Sequence, residues 1–87
     1  MWRVYILECK NKTLYTGITS DIPRREIEHK QGKGGYYTKS FGVNRLVYQE
    51  ECSGKQEAAK REAQIKGWTR NKKLALIKGD MNLLNAL

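Results

Sequence analysis

Five side chains in this 87-residue sequence have types and spacing suited to chemistry: Tyr5, Tyr15, Arg25, His29 and Glu62. Phenol and imidazole groups can hold or pass protons, and a guanidinium can fork onto two oxygens of an oxyanion. Arg25 and His29 are four residues apart, so on a helix they share one face and can look toward the same anion. The sequence lacks a Cys/His metal-binding set, a nucleophilic triad, a P-loop and a dinucleotide fingerprint. Gly32-Lys33-Gly34-Gly35 resembles a phosphate loop only in composition. Seventeen basic residues against nine acidic ones leave a net charge of +8, which favours an anionic partner, nucleic acid above all. Each candidate also has a plainer role. A lone tyrosine is usually a strand-face aromatic, and Arg25 beside Arg24 a solvated helix face. A lone histidine is usually surface or core, and Glu62 among Lys60, Arg61 and Lys66 a salt-bridge partner.

These side chains need a scaffold, and the pattern predicts a single α+β domain over 1–87 in the order ββαβαα, with its core in about 1–78. Trp2 to Cys9 is β-branched and aromatic and predicts a strand. Lys10 to Thr13 predicts a turn, and Leu14 to Ile18 a second strand, together an antiparallel hairpin. Thr19, Ser20 or Asp21 is placed to cap a helix from about Ile22 to Gln31, with Pro23 in its first turn and Gly32 at its end. Ile22 and Ile27 are its apolar residues available to pack inward. A third strand is expected at about Arg45 to Cys52. Ser53 and Gln56 suggest a capping box for a helix from Gly54 to Lys66. Gly67 breaks that helix and Thr69 caps a shorter one carrying Leu74, Ala75 and Ile77. Asp80 to Leu87 either docks as a turn of helix or frays. No apolar run approaches the ~20 residues that span a bilayer, and no signal-peptide pattern is present. Cys9 and Cys52 read as reduced thiols, so the expected location is cytoplasmic.

With its elements in place, the sequence resembles a known family. Tyr5-Ile6-Leu7 in the first strand and Tyr15-Thr16-Gly17 in the second resemble the two halves of the GIY-YIG nuclease signature. Arg25 and His29 match its Arg-x-x-x-His element, and Glu62 looks like its single metal-binding glutamate. The resemblance covers roughly Met1 to Ile77. It is nearest the small stand-alone bacterial members, and similar to the nuclease domain of the excision-repair subunit. The chain departs from the signature at Arg3 and Val4, at Thr16, and at Ile18, where some relatives carry lysine. The resemblance implies a divalent-metal-dependent endonuclease, using Mg²⁺ or Mn²⁺ at Glu62, that cuts DNA at branched or distorted structures in repair or recombination. The alternative is a non-catalytic nucleic-acid-binding module of the same fold, and a further one is an interaction domain whose charge serves solubility. A protein partner for targeting is compatible with so small a domain.

The chemistry of these residues agrees with that implication. Phosphodiester hydrolysis needs an oriented water, a proton acceptor, and cations to offset charge in the transition state. Arg25 can contact the phosphate, His29 can relay a proton, and Tyr5 or Tyr15 can take the water's proton if a nearby cation lowers its phenol. The tyrosines share a sheet face only for one register parity. A three-residue loop or a bulge, with Cys9 opposite Tyr15, is the expected arrangement, leaving them roughly 13 Å apart along the strands.

Basic residues elsewhere predict a backbone track: Lys33 and Lys39 around the glycine loop, and Lys66, Arg70, Lys72 and Lys73 near Trp68. Neutralising six phosphates would give a log–log salt slope of about −5. Trp68 reads as a packing anchor before a cation–π participant, and Tyr37 and Tyr48 as core or sheet residues before base-stacking platforms.

Overall fold

The computed structural model describes residues 1–32 and 42–86. Its elements are β1 (Trp2–Cys9), β2 (Leu14–Thr19), α1 (Ile22–Lys30), β3 (Val43–Cys52), α2 (Lys55–Lys66), α3 (Arg70–Lys78) and α4 (Met81–Ala86). The strands form one antiparallel sheet in the order β2-β1-β3. The α+β architecture agrees with the order expected, with one helix more, because 81–86 docks through buried Leu84.

β1 is central and covered on both faces, which is why it carries a continuous apolar run: Val4, Tyr5, Ile6 and Leu7 are each 1% exposed or less. Alternation along the strand sorts them into two cores. Val4 and Ile6 pack with Ala58 and Ile65 of α2, Ala75 and Leu76 of α3, and Leu84 of α4. Tyr5 and Leu7 face the other way and pack with Val43, Leu46, Tyr15 and Ile22. The sheet therefore separates a helix-covered apolar layer from a layer rich in tyrosine under α1.

The hairpin settles the parity question. Cys9 N–H donates to the Thr13 carbonyl, leaving Lys10-Asn11-Lys12 as the loop, and Lys12 adopts φ 71°. A left-handed third residue is characteristic of three-residue hairpin loops. The register pairs Leu7 with Tyr15 and Tyr5 with Gly17. Both tyrosines share a face, as expected, but Tyr15 lies opposite Leu7 rather than Cys9. Their rings are therefore near neighbours, with centroids 6.4 Å apart.

Local capping mostly follows chemistry. The Asp21 carboxylate accepts from the Arg24 N–H at 3.1 Å and the Thr69 hydroxyl from the Lys72 N–H at 3.3 Å. Gly32, at φ 78°, follows α1 where a left-handed residue is needed. Two expectations fail. The Ser53–Gln56 box does not form, since α2 starts behind Gly54 without a side-chain cap. Ile27 is 56% exposed, whereas His29 is 1% exposed. On α1 the inward stripe is Ile22, Arg25 and His29, and Ile27 projects about 200° away from the last two.

Candidate active site

The tyrosine-rich layer gathers side chains from β1, β2 and α1. The Tyr5 hydroxyl lies 2.8 Å from His29 Nε2, a buried contact, and accepts a hydrogen bond from Arg25 Nε at 3.3 Å. Tyr15 completes the cluster, its ring centroid 5.0 Å from that of His29 in an edge-to-face arrangement. Four of the five candidate residues thus meet at one point, brought there by the hairpin register and by the four-residue spacing on α1.

Gly17 makes the convergence possible. A Cβ at this position would stand 2.5 Å from the Tyr5 hydroxyl and 2.7 Å from its Cζ, so the phenol occupies the space that any side chain would need. The motif containing Gly17 was legible in the sequence, but its function as a seat for Tyr5 was not. A lone glycine inside a strand pattern is the signal that marks such close approaches.

The protonation states follow from burial. Desolvation, the dominant effect, pushes the Tyr5 phenol up to about 12 despite the Arg25 hydrogen bond that opposes it. The expectation of a phenol lowered by a nearby cation is therefore not met at Tyr5: the cation is present, and burial outweighs it. Desolvation, with the Arg25 charge second, pushes His29 down to about 4. His29 is consequently a neutral imidazole near pH 7. A neutral imidazole carries one N–H, and in its Nδ1–H tautomer the bare Nε2 accepts the Tyr5 O–H, whereas in the Nε2–H tautomer it donates to the Tyr5 oxygen. Arg25 is held above the ordinary guanidinium value, first by its bond to Tyr5, and also stands 3.8 Å from Glu28.

Glu62, on α2, is partly exposed and pairs with Lys66 Nζ at 3.4 Å, one turn along the helix. It lies close enough to Tyr5 for its charge to contribute to raising the phenol. Among the described residues no group of three or more His, Cys, Asp or Glu could by itself hold a metal ion. A lone carboxylate such as Glu62 has the chemistry to hold a hard ion such as Mg²⁺ or Mn²⁺, which keeps most of its waters and takes phosphate oxygens as further ligands.

The basic residues separate into different settings. Lys66 and Lys73 line one groove with Leu14, Tyr15 and Thr16. Lys72 Nζ lies 4.6 Å from the Trp68 ring centre, with Arg61 at 5.1 Å, and Trp68 also packs on the core, so both readings of that indole hold. Arg70 is exposed at the start of α3. Lys33, Lys39 and Tyr37 lie outside the described residues. Tyr48 packs against the helix-side core, with its hydroxyl on Glu50. Among the described residues no helix is long and apolar enough to cross a membrane.

The chain has clear relatives. Residues 1–75 match the family model of the GIY-YIG catalytic domain. A UPF0213 protein of Staphylococcus saprophyticus is 50% identical over 74 residues, covering 85% of this chain and 90% of that protein. A UPF0213 protein of Staphylococcus epidermidis is 49% identical over 74 residues, with the same coverage of 85% and 90%. The solution NMR structure of a UPF0213 protein from Bacillus halodurans superposes with a TM-score of 0.57 at 43% identity, over 90% of this chain and 84% of that one.

Proposed function

The chain belongs to the GIY-YIG catalytic-domain family, and from that premise we propose that it is a metal-dependent endonuclease hydrolysing DNA phosphodiester bonds at branched or distorted structures. GIY-YIG domains are generally those of endonucleases that act on DNA and use divalent metals. The observation that carries the proposal is the contact chain Arg25 Nε to Tyr5 oxygen to His29 Nε2, at 3.3 and 2.8 Å.

In this reading Tyr5 works as a relay. A phenol with a pKa of about 12 is neutral at rest and is not a standing phenolate base. As the attacking water gives a proton to the Tyr5 oxygen, Tyr5 passes its own proton to His29 Nε2. The hydroxide equivalent then forms the new P–O bond while the bond to the leaving oxygen breaks. Arg25 offsets charge on the phosphate oxygens and, through Nε, fixes the Tyr5 oxygen in line. The imidazolium so formed is disfavoured in the free protein by burial and by Arg25. A bound phosphate opposes the Arg25 field and draws the histidine's proton affinity up, so the relay is armed by substrate. Tyr15, edge-on to His29, holds the imidazole plane. Glu62 would hold the divalent ion, whose chemistry is to polarise a phosphate oxygen and stabilise the leaving group.

A domain of this size has little surface for base readout, so selectivity for DNA shape, or a protein partner, fits it better than sequence recognition. The test incubates the protein with single-stranded, duplex, flap and four-way-junction DNA in Mg²⁺, Mn²⁺ or EDTA, beside Glu62→Ala purified identically. Metal-dependent cuts lost in the variant are expected. DNA binding without cuts would leave a nucleic-acid-binding module instead.

A further inference from the structure

Tyr15 borders two places at once. Its ring belongs to the cluster around His29, and it also lines an open groove of about 190 Å³ together with Leu14, Thr16, Lys66 and Lys73. β2 is an edge strand, and this groove lies along it where α2 and α3 border the sheet, sharing Tyr15 with the candidate active site. Two lysines from different helices line it, Lys66 from the last turn of α2 and Lys73 from α3. The ion pairs among the described residues do not include Lys73, while Lys66 is held by Glu62 at 3.4 Å. Thr16, in the groove's lining, is 3% exposed, and its Oγ1 is the buried side-chain polar atom left without a hydrogen-bond partner among the described residues. A buried hydroxyl with unspent hydrogen-bonding capacity in a groove that two lysines also line is unusual, because such groups are nearly always satisfied.

We propose that this groove seats a second backbone phosphate of the nucleic acid, one flanking the scissile phosphodiester, held by Lys73 and Lys66. The inference rests on the nuclease reading and deepens it by placing the strand's path across the β2 edge. Lysines act on phosphate as compact point charges that need no planar partner, and the groove is open enough for a continuous strand to enter and leave. Lys66 couples this seat to the metal. In the metal-free protein its ammonium satisfies Glu62. Were Glu62 to hold a divalent ion, its carboxylate would no longer be free to pair with Lys66, and the Lys66 ammonium would be left to the phosphate in the groove. Lys66 is thus a positioning residue: it keeps the carboxylate paired until metal and DNA arrive together, and each favours the other.

Inorganic phosphate and a DNA backbone present the same oxygens, and the experiment separates them. Affinity for a short DNA duplex is measured across a salt series for wild type, Lys73→Gln, Lys66→Gln and Lys78→Gln, the last carrying an exposed lysine that does not line the groove. Folding is checked by circular dichroism. Ca²⁺ replaces Mg²⁺ so that binding is read without turnover, and inorganic phosphate is titrated separately by amide chemical shifts. Lys73→Gln is expected to weaken duplex binding roughly tenfold and to make the log–log salt slope shallower by about 0.9, with Lys78→Gln unchanged. Lys66→Gln is expected to abolish the gain in DNA affinity that Ca²⁺ gives the wild type. Wild-type slope and affinity in Lys73→Gln would overturn the proposal. So would phosphate-induced shifts at Leu14, Thr16 and Lys73 with unchanged duplex binding, which would mark a free-anion site. If no protein cuts DNA in Mg²⁺ and yet Lys73→Gln loses the slope, the nuclease reading fails while the phosphate seat stands.

Discussion

The Tyr5 hydroxyl and His29 Nε2 stand 2.8 Å apart inside the protein, joining the central strand to the first helix across 24 residues of chain. Both partners are about 1% exposed, so neither can exchange the other for water without opening the layer between them. Removing one leaves a buried polar atom unsatisfied. Tyr5→Phe is therefore expected to cost about 1–3 kcal/mol in urea unfolding. On the proposed mechanism it also lowers single-turnover DNA cleavage by roughly a hundredfold or more. Cleavage at the wild-type rate by folded Tyr5→Phe would remove Tyr5 from the relay.

The same pair sets a pH dependence. The folded-state pKa of His29 is about 4, below the ordinary 6.5, so the unfolded chain binds this proton more readily than the folded one. The associated stability is fully present above pH 6.5 and is lost as pH falls through 4. A shift of this size corresponds to about 3 kcal/mol. His29→Gln, which keeps an acceptor for Tyr5 without titrating, is expected to show a flatter decline in stability between pH 6.5 and 4. Parallel wild-type and variant curves over that window would refute the assignment.

Gly17→Ala tests the seat of the phenol. Its added methyl collides with the Tyr5 ring rather than with a flexible side-chain end, and overpacking of this kind costs about 1–3 kcal/mol. The variant is expected to unfold earlier in denaturant and to shift the His29 ring resonances, since Tyr5 must move off Nε2. Unmoved histidine resonances would show that the phenol does not depend on this space.

Arg25→Lys retains charge but loses the Nε donor that reaches Tyr5 at 3.3 Å. Cleavage is expected to fall by roughly 10²-fold or more while DNA affinity changes far less, because the guanidinium serves orientation as well as attraction. Equal losses of affinity and rate would reduce Arg25 to a simple phosphate contact.

Thr16→Val addresses the unpartnered hydroxyl. Valine has the same shape and no group to satisfy, so the substitution is expected to be neutral or to raise thermal stability, by up to about 1 kcal/mol. A marked destabilisation would mean that Oγ1 has a partner, such as a bound water.

Much of this architecture could be read from the chain because its signals are local. The apolar run Val4–Leu7, the capping Asp21 and Thr69, and the four-residue spacing of Arg25 and His29 act within one or two turns or one strand. Register was harder: the shared face of the tyrosines followed from parity, but the pairing of Tyr15 with Leu7 depended on the left-handed Lys12, which no residue preference announces. The inward face of α1 was misjudged at Ile27, since hydrophobicity alone favours isoleucine over histidine. The structure buries His29 because Tyr5 satisfies it, a tertiary fact. The elevated Tyr5 phenol was likewise hidden, because a sequence shows the neighbouring arginine but not the depth of burial that outweighs it.

The division of the site between two parts of the chain has a consequence for biosynthesis. Tyr5, Tyr15, Arg25 and His29 all come from the first hairpin and helix, contacts that close over short loops and can assemble early. Glu62 arrives only when α2 docks on the far side of β1 through Ala58 and Ile65. On the proposed reading, a nascent or partly unfolded chain holds the proton-handling groups without the carboxylate that recruits the metal. Cutting competence then appears only with the completed domain, so an unfinished copy is harmless to the nucleic acids around it.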